Sequence, residues 1–212
     1  MEYSVFISYR RVGFERKFIE NFKEMLKTEA GAATGISQVF FDEDSIDWGK
    51  EFDDKIYDGI ISSCFFIPVY QYIYLSEERT WCARELYHAI EVEKRIREIN
   101  PDFCFILPVI HRGSTEDLPE CIDRKNVIHI HLYESNIANN TKPQKFMNLK
   151  KRICDILHKN YRLLHTIGDI KDLCEDIHKP EKEEIKEWIR RHNKSLKQQE
   201  ASKLPILRKN AE

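Results

Sequence analysis

Several features that would announce a function are missing from this chain. It carries no strong charge of either sign: 34 basic and 36 acidic residues leave a net charge of -2, too little to draw in nucleic acid or an anionic membrane surface. It has no C-x-x-C pair. Its six cysteines (Cys64, Cys82, Cys104, Cys121, Cys154 and Cys174) are scattered, several in apolar surroundings where a thiol behaves as a small hydrophobe, so reduced cysteines in a cytoplasmic protein are expected. Long apolar runs are absent too. The most apolar stretch, Ile60 to Leu75, is broken by Ser62, Ser63, Pro68 and Gln71 and falls short of the ~20 residues that span a bilayer. The first residues enter a strand pattern and reach two arginines at once, so no secretory signal is expected. No G-x-G-x-x-G follows a strand, and Gly49-Lys50 lacks the glycine loop of a Walker motif, which disfavours dinucleotide dehydrogenases and phosphate-loop ATPases.

What is present is an alternation. Five apolar runs of strand length, Ser4 to Tyr9, Gln38 to Asp42, Ser63 to Tyr70, Phe103 to Ile110 and Asn126 to Leu132, are rich in Val, Ile, Phe and Tyr. Most are nearly continuous rather than alternating, as strands covered on both faces by helices are. Between them lie helical spacings: Phe14, Phe18, Phe22, Met25 and Leu26; then Phe52, Ile56 and Ile60; then Leu86, Ala89 and Ile90. The fourth connection, His111 to Lys125, holds Gly113 and Pro119 and promises at most a brief helix. A fifth helix is expected from about Gln144 to Lys159, after Pro143. The pattern predicts an α/β fold with a flavodoxin-like five-stranded parallel sheet. In such sheets ligands bind beyond the carboxyl ends of the strands, where strand order reverses.

At 212 residues one domain plus an appendage is expected. The reading is a domain over 1–162, a C-terminal helical extension over 163–200 and a flexible tail over 201–212. In the extension, Ile170, Leu173, Cys174 and Ile177 form one stripe. A second helix after Pro180 has acidic residues first and Arg190, Arg191 and Lys194 later, with Ile185, Trp188 and Ile189 on one face. A helical pair packed on the domain is favoured over a partner-binding arm.

The residues able to carry chemistry gather on the expected ligand edge. Trp81 and Glu85 are one helical turn apart and share a face, setting a carboxylate beside an aromatic wall. That arrangement suits a sugar and a developing positive charge. Ser8, Tyr9 and Arg10 end the first strand, where an arginine fork can pair with diphosphate oxygens or neutralise Asp42 or Asp44. Asp42, Asp44 and Asp47 lack the glycine and terminal glutamate of a calcium loop, so no metal is expected there. Trp48 lies in a short polar loop beside Gly49, either pinned on its own domain or reserved for a partner surface. His129 and His131 alternate on the fifth strand without an evident third ligand, and His111 follows the fourth.

Three segments, Val5-Phe6-Ile7-Ser8-Tyr9-Arg10-Arg11, Phe40 through Lys50, and Thr80-Trp81-Cys82-Ala83-Arg84-Glu85-Leu86, occur in an order and spacing that resembles a TIR (Toll/interleukin-1 receptor) domain, up to about Tyr161. The F-I-S-Y-R-R run is similar to that of the animal TIR NADase of axon degeneration, and the stand-alone chain resembles the prokaryotic antiphage type. The resemblance implies cleavage of the nicotinamide-ribose bond of NAD+, giving ADP-ribose or a cyclic or conjugated derivative. It implies a catalytic Glu85, with Ser8, Tyr9, Arg10, Asp44, Trp48 and Trp81 around the substrate. NAD+ is then substrate, and no separate cofactor or metal is expected. Expected partners are further TIR domains and an effector that senses the product, not nucleic acid or membrane. The same motifs also occur in TIR domains that only scaffold signalling, and a nucleoside deoxyribosyltransferase-like activity shares the fold.

Overall fold

Strand β1 (Val5–Tyr9) is buried at every residue because it is the inner strand on which the sheet is built. It pairs in parallel with β2 (Val39–Phe41) on one side and β3 (Phe66–Tyr70) on the other. Strands β4 (Val109–Ile110) and β5 (Ile128–His129) extend the sheet beyond β3, giving the order β2-β1-β3-β4-β5. This computed structural model describes residues 1–10, 16–41, 50–122, 126–139 and 143–203. All four pairings are parallel, so the fold is the flavodoxin-like α/β type that the alternation predicts. Strand order reverses between β1 and β3, and their carboxyl ends, Tyr9 and Tyr70, frame the crevice of a doubly wound sheet.

The helices divide between the two faces. Helix α1 (Arg16–Thr34) packs with α4 (Glu134–Ala138) and α5 (Gln144–Leu164) on one. Helices α2 (Lys50–Ile61) and α3 (Trp81–Ile99), with α6 (Ile170–Cys174) and α7 (Lys182–Lys203), cover the other. The core between them is aromatic near its centre: the Phe6 ring stacks on Phe40 at 4.7 Å and on Phe66 at 5.4 Å. Gly59 lets α2 settle on this stack, since a Cβ there would lie 2.7 Å from the Phe40 ring.

The C-terminal helices form part of the α3 layer. Ile170, Cys174, Ile185 and Ile189 are buried, and the Trp188 ring meets Tyr87 of α3 edge-on at 5.7 Å. Three polar links extend this contact beyond α3: Arg190 to Glu77 at 2.8 Å, Ser195 to Glu120 at 3.0 Å and His192 to the Asp117 carbonyl at 3.2 Å. Among the described residues no helix is long and apolar enough to cross a membrane.

The structure shortens several expected elements. Of the run Phe103 to Ile110, only Val109–Ile110 is strand, with one isolated bridge from Ile106 to Phe66. Its apolar character reflects burial, with Phe103, Phe105, Ile106 and Leu107 nearly inaccessible. Pro108 has no N–H to give a ladder. The fifth run stops after His129, and His131–Tyr133 turns into a 3-10 helix. His129 and His131 thus do not share one strand. Their rings meet edge-on at 5.8 Å, and His129 Nε2 contacts the Thr115 hydroxyl at 3.2 Å. The fourth connection holds a three-residue 3-10 turn at Thr115–Asp117. Helix α5 continues past the expected Lys159, and the anticipated boundary at 162 falls inside it. The proposed tail begins at Ala201, but α7 includes residues to Lys203.

Candidate active site

Ser8 is the one aliphatic hydroxyl inside the strand sequence Val-Phe-Ile-Ser-Tyr, and the register sets it opposite Pro68 of β3. It is 1% exposed, so its polar atom must be satisfied inside the protein. Two partners do this. Ser8 Oγ donates to Glu85 Oε2 at 2.5 Å and lies 2.5 Å from the Tyr74 hydroxyl. The strand end, the segment after β3 and the start of α3 thereby converge on one oxygen.

Glu85 is 5% exposed. A buried carboxylate is costly unless hydrogen-bonded, and Ser8 supplies a bond that favours its ionised form. Helix α3 begins at Trp81, so Glu85 lies in its second turn. Trp81, one turn earlier, is 36% exposed. Its indole lies 5.2 Å from the Arg84 guanidinium, which also approaches the Tyr57 ring at 5.9 Å. Behind Tyr57 stands His88, 2% exposed, with ring centroids 4.5 Å apart. Burial, helped by the Lys179 charge, pushes the His88 pKa down to about 4.

The segment leaving β3 is bound to the end of β1. The Arg10 guanidinium donates to the Ile73 carbonyl, and Gln71 Nε2 donates to the Arg10 carbonyl at 3.3 Å. A turn closed by Tyr74 N–H on the Gln71 carbonyl at 2.7 Å then sends consecutive side chains in opposite directions. Tyr72 is 74% exposed and Ile73 41%, whereas Tyr74 is fully buried. Burial and the nearby Cys82 and Glu85 hold the Tyr74 pKa well above that of an ordinary phenol, so it keeps its proton.

The expected site residues thus have different placements. Ser8, Arg10, Trp81 and Glu85 lie around the carboxyl end of β1 and the start of α3. Tyr9 is buried and stacks on Phe41 at 4.8 Å. His111 is fully buried with its ring 5.1 Å from Phe18. Asp44 and Trp48, with Asp42, Asp47 and Arg11, lie outside the described residues. Sequence reasoning missed Tyr74: in Tyr72-Ile73-Tyr74 nothing in composition separates the buried phenol from the exposed one. No cluster of three or more potential metal ligands occurs among the described residues. Cavities lie elsewhere, including one of about 450 Å³ along α5 lined by Asp155, His158, Lys159, Arg162 and Leu163, where the carboxylate is exposed.

What this arrangement can do is hold one carboxylate, buried and hydrogen-bonded, at the crevice of the sheet. No curated protein matches the chain. A family model described as TIR domain matches residues 5–146, from the first residue of β1 into the first turn of α5, and so spans Ser8, Tyr74, Trp81 and Glu85.

Proposed function

Because the chain belongs to the TIR domain family, we propose that it cleaves the nicotinamide-ribose bond of NAD+, with Glu85 as the catalytic carboxylate. The observation that carries this reading is the Glu85 side chain itself, 5% exposed yet given a hydrogen bond from a central strand. Carboxylates on helices are mostly solvated; one held this way is costly to keep and suited to a fixed electrostatic task. In the reaction the C1′–N bond breaks and its electron pair passes to the pyridinium nitrogen, releasing neutral nicotinamide. The ribosyl fragment is left as an oxocarbenium ion, whose charge the Glu85 carboxylate stabilises. Attack by water, with loss of a proton, gives ADP-ribose; attack by an adenine nitrogen of the same molecule gives a cyclic product. In a prokaryotic setting, loss of NAD+ or a product sensed by an effector would serve antiphage defence.

The second reading is a scaffold that works by TIR-TIR contact without turnover. Tyr72 and Ile73, exposed beside the site, favour it, because they offer apolar surface to a second copy. Self-association belongs to both readings. An activity completed in an assembly depends on protein concentration, so the test is nicotinamide release from NAD+ at high protein concentration with a crowding agent, followed by chromatography with mass detection. Wild type should release nicotinamide, and Glu85→Ala and Glu85→Gln should not while remaining folded. An inert wild type under these conditions supports the scaffold.

A further inference from the structure

We propose that Tyr74 is a positioning residue for Glu85, acting through the Ser8 hydroxyl. The inference rests on the reading of Glu85 as the catalytic carboxylate and adds a residue that is hydrogen-bonded to it through Ser8 and, being fully buried, meets no substrate.

Ser8 Oγ lies 2.5 Å from both Tyr74 Oη and Glu85 Oε2. A serine hydroxyl has one proton to give and lone pairs to accept, and an ionised carboxylate can only accept. The Ser8 proton therefore points to Glu85, which leaves Tyr74 as the donor to Ser8. The result is a one-directional chain, Tyr74 O–H to Ser8 Oγ and Ser8 O–H to Glu85 Oε2. Each bond in such a chain polarises the next. Burial keeps the phenol protonated and hence always a donor.

The three members come from three separate elements, so the chain also fixes geometry. Ser8 belongs to the centre of the sheet and cannot shift without the strand. Tyr74 is fixed by its turn to Gln71, by the packing of its ring 5.5 Å from Tyr70 and by the Arg10 contact to the neighbouring Ile73 carbonyl. With donor and strand immobile, the Ser8 hydroxyl has one orientation left, and the carboxylate is held by it. Loss of the phenol oxygen frees the serine rotor and loosens the bond that Ser8 makes to Glu85.

Tyr74→Phe removes that single oxygen and leaves the ring. The test combines two measurements on the full chain. The first is a double-mutant cycle by urea unfolding of wild type, Tyr74→Phe, Glu85→Gln and the double variant, which needs no turnover. The unfolding constant should change at least threefold more on Tyr74→Phe in the wild-type background than in the Glu85→Gln background. The second is nicotinamide release: Tyr74→Phe should lower kcat about tenfold with KM unchanged, the mark of an interaction lost from the transition state. Additive unfolding effects overturn the chain. Coupling with an unchanged kcat, or a rise in KM alone, overturns the positioning role. Coupling in a wild type that releases no nicotinamide defeats the catalytic reading of Glu85, and the positioning role with it, while the hydrogen-bonded chain stands as a structural device.

Discussion

Ser8 and Glu85 are 77 residues apart in sequence and 2.5 Å apart in space. Ser8→Ala deletes the link between them and takes one hydrogen-bond partner from each of two buried groups, the Glu85 carboxylate and the Tyr74 phenol. A cost of about 1–3 kcal/mol in unfolding free energy is expected, read by denaturant titration. Nicotinamide release should fall by roughly ten- to a hundredfold. Retained release would remove Ser8 from the catalytic apparatus.

Trp81 calls for a different balance. Its contact with the Arg84 guanidinium is partly exposed, and such cation–π pairs contribute about 0.5–1 kcal/mol. Trp81→Ala should therefore lower the melting temperature by only a few degrees. If the indole forms the wall of the substrate site, KM for NAD+ rises by about tenfold or more, and Trp81→Phe restores most of it. A large loss of stability with unchanged KM would make Trp81 a packing residue.

His88 gives a pH signature. Its folded pKa is pushed down to about 4 from an ordinary 6.5, so between these values the unfolded chain binds more protons than the folded one. Stability from this group is fully present above pH 6.5 and declines as pH falls towards 4, by a total on the order of 3 kcal/mol. His88→Phe keeps a ring against Tyr57 and removes the titration. The slope of unfolding free energy between pH 5 and about 6.5 should flatten in the variant, as measured by urea unfolding across a pH series.

The attachment of α7 separates burial from charge. Ile185 and Ile189 are fully buried, whereas the Arg190 and Glu77 side chains are 55% and 40% exposed. Ile185→Ala should cost about 2–5 kcal/mol, and Arg190→Ala less than about 1 kcal/mol. Thermal unfolding of the two variants side by side checks the order. A larger loss for Arg190→Ala would mean that polar links rather than the apolar face hold the helix.

The parts of the fold that the sequence displayed best are those where burial and backbone pairing coincide. In β1 and β3 the apolar run is also the hydrogen-bonded run, apart from the ends. Around Phe105 and Leu107 the two separate: the side chains are buried, but the chain approaching Pro108 makes only one bridge, and hydrophobicity cannot report that difference. Glu85 and Trp81 were readable because helical spacing places them on one face. Tyr74 was not, because its burial depends on the turn to Gln71 and on Arg10 reaching Ile73, contacts that no local pattern encodes. The acidic loop with Asp44 and Trp48 lies outside the described residues.

The clasp of α7 on the segment before α3 also has a place in time. Arg190 follows its partner Glu77 by 113 residues, which a ribosome working at roughly 5–20 residues per second needs on the order of ten seconds to add. Ser8, Tyr74 and Glu85 have all been synthesised before any residue of α7 exists. The clasp is therefore the later addition, made to a segment whose own contacts with β1 can already be in place. A newborn chain passes through an interval in which Ser8, Tyr74 and Glu85 are available and its last helix is not.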